Sequence, residues 1–161
     1  MNTLIAYATK YGCVEKCASI LSEKLTGEVD LYNLKEIKNI DISKYDKVII
    51  GGSIYMGKIQ KVVREFSSTK LNQLKEKEVG LFICGMGEGE TAEKELKDSF
   101  PVELYAKATA RGVFGGEFIF KKMNFLERLI VKKVSKVEKD VSNISEKKIN
   151  EFAELMNNVY L

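Results

Sequence analysis

Three short apolar runs constrain this chain most: LIAYA (4–8), KVIIGGS (47–53) and VGLFICG (79–85), each ending in small or glycine-rich residues. Continuous apolar runs without polar alternation suit strands buried on both faces, as in a parallel sheet. Each run is followed by helical spacing. Val14, Cys17, Ala18, Leu21 and Leu25 follow the first, ended by Gly27. Residues 59–66 follow the second, with Val62, Val63 and Phe66 on one face, and residues 92–100 follow the third, closed by Pro101. EVDLYNL (28–34) alternates and fits a shorter second strand, while RGVFGGEF (111–118) fits a fifth. The span 145–159 reads as a closing helix, with a partial capping box at Ser145 and Lys148 and a stripe of Ile149, Phe152, Ala153, Met156 and Val159. This alternation predicts an α/β fold: a doubly wound, five-stranded parallel sheet of order 2-1-3-4-5 with helices on both faces. With no repeat or linker in 161 residues, a single domain over 1–161 is expected.

Composition removes several chemistries. The chain has no histidine, so it lacks the commonest general base and metal ligand. Three cysteines without histidine make a zinc site unexpected, and no metal is predicted. Sparse cysteine suits a reducing compartment, and 45% hydrophobic residues suffice for a core without disulfides. MNTLIAYATK lacks the basic start of a signal peptide, and no apolar run nears the ~18–20 residues that cross a bilayer. A cytoplasmic protein is therefore expected. Net charge is +3, but residues 121–139 alone carry +5, which leaves −2 for the remainder.

In sheets of this order, ligands bind beyond the carboxyl ends of the strands, between the first and third. Three small-residue loops fall there: TKYGC, GGSIYMG and CGMGEGE. No G-x-x-x-x-G-K-[ST] exists, and the first loop has only Gly12 where a dinucleotide fingerprint needs three glycines. The acids within Gly85-Met86-Gly87-Glu88-Gly89 would repel a pyrophosphate. A C-x5-R phosphatase loop fails, because Ser19 and Glu23 stand where arginine is required. The acids of a phospho-acceptor are replaced by AYAT and GGSI. What remains is Thr9-Lys10-Tyr11-Gly12-Cys13-Val14. A hydroxyl at Thr9, a tight turn at Gly12 and the positive end of the next helix suit a monophosphate.

These residues resemble the flavodoxin family, whose T/S-x-T-G-x-T loop binds the FMN phosphate. Thr9 and Gly12 match that pattern; Tyr11 and Val14 stand where the family usually has hydroxyls. GGSIYMG (51–57) and RGVFGGEFIFKKMNFLERLIVKKV (111–134) are similar to the flavodoxin-like subfamily that contains the menaquinone-dependent protoporphyrinogen IX dehydrogenases. The resemblance spans most of the chain and implies FMN as cofactor. Residues 9–14 would then hold its phosphate. Ser53, Ile54, Tyr55, Met56, Gly57 and Lys58 would line the isoalloxazine, with Tyr55 stacking and Gly57 leaving the backbone free to adjust. Gly85, Met86, Gly87, Glu88 and Gly89 would approach the pyrimidine edge, where Glu88 would disfavour the anionic reduced flavin.

Cys13 and Cys17, at i and i+4, share a helix face and read either as a redox pair or as core and loop residues. Met123, Leu126, Ile130, Val134 and Val137 share one face of a basic helix within 121–139, with Arg128, Lys132, Lys136 and Lys139 mostly opposite. That pattern fits a helix docked on the sheet, or peripheral contact with an anionic membrane or an acidic partner. Nucleic acid is not an expected partner, since a pI of 8.6 is modest and the basic residues occupy one segment. The resemblance implies an oxidoreductase passing electrons from a porphyrinogen-like donor to a quinone or other acceptor. An electron carrier, or a module that has lost its flavin, are the other two readings. Carriers of this family are usually strongly acidic and this chain is not, which favours the oxidoreductase. The sequence points to no catalytic residue, physiological donor or oligomeric state.

Overall fold

The computed structural model describes residues 1–118, 125–135 and 140–158. The chain opens with β1 (Asn2–Tyr7), α1 (Cys13–Lys24) and β2 (Glu28–Asn33), then passes without a helix to β3 (Lys47–Tyr55). A short β4 (Lys58–Ile59) leads into α2 (Lys61–Thr69) and α3 (Leu71–Leu74). Next come β5 (Glu78–Cys84), α4 (Gly89–Asp98), α5 (Val102–Lys107) and β6 (Ala110–Val113). The last part holds β7 (Glu117–Phe118), α6 (Phe125–Ser135), β8 (Val141–Ser142) and α7 (Glu146–Met156).

The main sheet runs β2-β1-β3-β5-β6, with every neighbouring pair parallel. Leaving out the short β4, this is the predicted order 2-1-3-4-5. Period-two alternation sorts each strand between two cores. Leu4, Ala6 and Ala8 of the first strand region join Val48, Ile50, Val79, Leu81 and Ile83 on one face, under α2, α4 and α5. Ile5 and Tyr7 join Ile49, Phe82 and Cys84 on the other, under α1 and α7. Each Leu, Ile, Val or Phe so buried contributes about 1.5–3 kcal/mol, which is why the middles of these runs are apolar.

Four boundaries differ from the sequence reading, and in each the chain reverses earlier or later than its pattern suggests. Residues 51–55 are not loop: β3 continues to Tyr55 because Ile54 and Tyr55 pair with Ile59 and Lys58 across a turn at Met56 and Gly57. Ile59 is therefore strand, and α2 starts after Gln60. The helix expected over 92–100 runs instead from Gly89 to Asp98. The fifth strand ends at Val113, since Gly115 at φ 91° turns the chain, and Glu117–Phe118 pair antiparallel with β8 instead. The predicted basic helix is seen as α6; Met123, Lys136, Val137 and Lys139 lie outside the described residues. Ser145 caps α7 as expected, accepting from the Lys148 N–H, while Val159 lies outside the described residues.

Gly51 leaves its space to a ring from the neighbouring strand. It pairs with Phe82 on β5, and a Cβ there would sit 2.1 Å from the Phe82 ring. That ring stacks on Phe114 at 4.7 Å and meets Phe152 of α7 edge-on at 6.1 Å. No side chain fits at Gly51 without moving this aromatic group. Gly51→Ala is expected to lower stability by about 1–3 kcal/mol through overpacking, read as a lower urea midpoint with unchanged slope.

Candidate functional site

The loops after β1, β3 and β5 open on the same sheet edge, around a cavity of about 500 Å³. That volume lies within the range of small-molecule sites, ~300–1,000 Å³. Thr9, Lys10, Tyr11 and Cys13 line one side, residues 53–57 a second, and Cys84, Gly85, Met86 and Gly87 a third.

The first loop is organised by Gly12, at φ 94° the residue preceding α1. This left-handed conformation favours glycine. Its N–H donates to Thr9 Oγ1 at 2.9 Å, and its carbonyl accepts the Lys16 N–H at 3.0 Å. No side chain caps α1. The positive end of a twelve-residue helix therefore opens beside Thr9, whose hydroxyl keeps its own proton to donate. Lys35 Nζ donates to the Thr9 carbonyl at 2.9 Å, adding a cation behind the loop. Val14 faces the core, so it offers the site only its backbone. Gly12 lines a neighbouring groove with Glu15, Lys16 and Ser19 rather than the cavity itself.

Gln60 locks the second wall to the first. Its Oε1 accepts the Ser53 N–H at 2.9 Å, while Nε2 donates to the Ala8 carbonyl at 3.3 Å and to Ser53 Oγ. Tyr55 is half-buried, and the Lys10 ammonium sits 3.7 Å from its ring centroid, a close cation–π contact. Lys58 is exposed on β4 and does not line the cavity. On the third wall, Gly85 donates its N–H to the Gly115 carbonyl at 2.9 Å. Glu88 and Gly89 line an adjoining cavity with Asn143 and Lys148, not this one.

The cavity also has acids that local sequence patterns did not reveal. Glu95 lines it from α4, and burial raises its carboxyl above the usual range. Glu117 lines it from β7, held by Lys16 Nζ at 2.9 and 3.1 Å and by Ser142 Oγ at 2.9 Å. Glu127 of α6 accepts from the Tyr11 hydroxyl and pairs with Lys10 at 3.2 Å. Burial, then the Glu127 contact, pushes the Tyr11 phenol well up. These bonds hold α6 against the first loop, and Ile130 of α6 lines the cavity. Glu95 and Thr91 carried a weak local signal, being one turn apart just past the third loop. Glu117 and Glu127 carried none, because their partners are about a hundred residues away in sequence.

The three cysteines are free and buried, and the fold gathers them. Their Sγ atoms all lie within 4.8 Å of one another, with Cys17 and Cys84 3.6 Å apart. Thiol hydrogen bonds from Cys17 and Cys84 hold the Cys13 thiol below its usual range and raise theirs.

The Flavodoxin domain family model matches residues 4–145, most of the chain. The chain belongs to this family. The flavodoxin of Streptococcus pneumoniae TIGR4 superposes with a TM-score of 0.63 at 19% identity, covering 99% of this chain and all of that one. The two-electron reduced flavodoxin of Megasphaera elsdenii gives 0.61 at 16% identity, covering 98% and 99%. At such identities these neighbours attest the fold. Protoporphyrinogen IX dehydrogenase (quinone) of Escherichia coli strain K12 is 32% identical over 80 residues, 46% of this chain and 44% of that relative. The match thus spans less than half the length of the curated relatives. Among the described residues of this flavodoxin-domain protein, no helix is long and apolar enough to cross a membrane.

Glu95 generates a pH-dependent expectation. Because burial raises its folded-state pKa, the fold binds that proton more tightly than the unfolded chain does. The resulting stabilisation is present below the ordinary carboxylate pKa and lost as pH rises through the raised one. Glu95→Gln is expected to raise the urea midpoint at about pH 7, with the gain shrinking toward about pH 4 as the native carboxyl protonates.

Proposed function

We propose that the chain binds FMN in this cavity and works as an oxidoreductase similar to protoporphyrinogen IX dehydrogenase, delivering electrons to a quinone or another acceptor. One observation carries the reading: an uncapped helix start at Thr9–Gly12 adjoins a cavity of about 500 Å³ bounded by the second and third loops. The residues suit the group. Thr9 Oγ1 and the first-turn N–H groups of α1 would hold the phosphate, and the flat Tyr55 ring and the small residues at Gly57, Gly85 and Gly87 would accept the ring system. When bound, FMN supplies one- and two-electron transfer.

The chain's own part is binding, orientation and proton placement. Gln60 fixes the spacing of the first two walls through Ala8 and Ser53. Lys10 is shared between Tyr55 and Glu127, so it links the ring wall to α6. Glu95 is a carboxyl in the cavity wall that burial biases toward its protonated form, suiting it to hold or release a proton at Oε. A simple electron carrier is the alternative. The net charge of +3 favours the oxidoreductase, as does the partial likeness to the dehydrogenase.

Titration with FMN is expected to quench its fluorescence at micromolar concentration, and no change in flavin signal would sink the proposal. Thr9→Ala is expected to weaken FMN binding about two- to tenfold, the worth of one hydrogen bond at ~0.5–1.5 kcal/mol. Oxidation of protoporphyrinogen with a quinone, compared with electron relay from a reductase, separates enzyme from carrier.

We also propose that α6 touches an anionic membrane surface. Leu126 and Leu129 are 65% and 48% exposed on this helix, with Lys133 exposed beside them. Apolar residues next to lysines on an exposed helix suit a charged lipid interface. Leu126→Ser with Leu129→Ser is expected to reduce sedimentation with phosphatidylglycerol vesicles while FMN binding is unchanged. Equal sedimentation of parent and variant would rule this contact out.

A further inference from the structure

The thiol groups themselves are given no role in the proposed flavin contacts, although Cys13 and Cys84 line the same cavity, and their geometry is that of a ligand set. Cys13 opens α1, Cys17 follows one turn later on the same face, and Cys84 ends β5 directly beneath. Two cysteines four apart in a histidine-free chain gave no reason to expect a metal. The third arrives only through packing of α1 on β5, and it brings all three sulfurs within 4.8 Å of one another. We propose that Cys13, Cys17 and Cys84 form a three-thiolate site for a thiophilic divalent cation of the zinc and cadmium class.

The distances support this. Zinc–sulfur bonds of ~2.3 Å in tetrahedral arrangement hold thiolates ~3.8 Å apart. Cys17 and Cys84 already stand 3.6 Å apart, and the third sulfur needs only a small approach. None of the three is committed to a disulfide. All-sulfur donor sets select soft cations over magnesium or calcium. Access is also defined. Cys17 and Cys84 are 0% and 2% exposed, so the cation cannot arrive from bulk solvent directly. Cys13 and Cys84 line the cavity, which supplies both the entry path and an open fourth position for water.

The charges balance simply. One divalent cation bound by three thiolates makes a complex of net charge −1, and each thiol proton still held before binding is released to solvent. The positive end of α1, which begins at Cys13, favours that charge. Lys16 lies between the two helix cysteines in sequence, paired to Glu117 rather than to the sulfurs. The inference stands apart from the flavin reading, since its test reads metal and thiols alone.

The experiment titrates the full, reduced chain with cadmium chloride under anaerobic conditions. Three readouts are followed: ultraviolet thiolate-to-cadmium charge-transfer absorption, proton release, and protection of thiols from a disulfide reagent. The expected result is one cation per chain, all three thiols protected, and about two protons released near neutral pH, since Cys13 is already held toward its thiolate. Cys17→Ala and Cys84→Ala are each expected to weaken cadmium binding at least about tenfold, with circular dichroism reporting that the variant is folded. Zinc chloride is expected to compete for the same site. No saturable cadmium absorption, protection of only two thiols, or an unchanged affinity in a folded Cys84→Ala variant would each overturn the proposal. The first three readouts use the unmodified protein, so the outcome does not depend on either variant folding.

Discussion

Burial of β3 on both faces is the constraint on which the rest depends. A strand with cores above and below it can be joined to parallel neighbours only by crossovers, and those must leave from its ends. β1, β3 and β5 lie side by side in the same direction, so their following loops emerge together at one edge. The candidate site is a consequence of that convergence. Beneath it, the absent side chain at Gly51 leaves room for the Phe82 ring to join the Phe114 and Phe152 rings.

Electrostatics at the edge follows from the same geometry. An uncapped helix start leaves its first-turn N–H groups without a side-chain partner. The walls around it carry both signs. Lys10 and Lys35 stand near Thr9, while Glu95, Glu117 and Glu127 approach from α4, β7 and α6. The acids that have cations beside them are Glu117 and Glu127; Glu95 is shifted by burial alone. That difference separates two ion-paired carboxylates from one whose pKa burial alone raises.

Much of this was legible along the chain. The apolar runs and helical stripes indicate the five parallel strands and the loops to inspect, since two-sided burial leaves a local signature, whereas the short β4, β7 and β8 left none. Thr9 and Gly12 stood out because a turn and a hydroxyl before a helix is itself a local pattern. The GGSIYMG stretch misled, because its glycines look like loop punctuation while Ile54 and Tyr55 are paired with residues just beyond the turn. The sequence points to Glu88 as the acid of the third loop, but Glu88 precedes α4 and lines an adjoining cavity, while Glu95, two turns along the helix, lines this one.

The sequence by itself determined the layered α/β plan, the two-sided burial of its parallel strands and the Thr9–Gly12 turn before α1, because each rests on residues within one turn or one strand of each other. Only the tertiary structure decided which side chains meet at the edge. Glu127 reaches Tyr11 across 116 positions, and Cys84 reaches Cys17 across 67. Such pairs leave no periodic trace in a single sequence. They exist because close packing of helices against a twisted sheet brings distant segments within bonding distance.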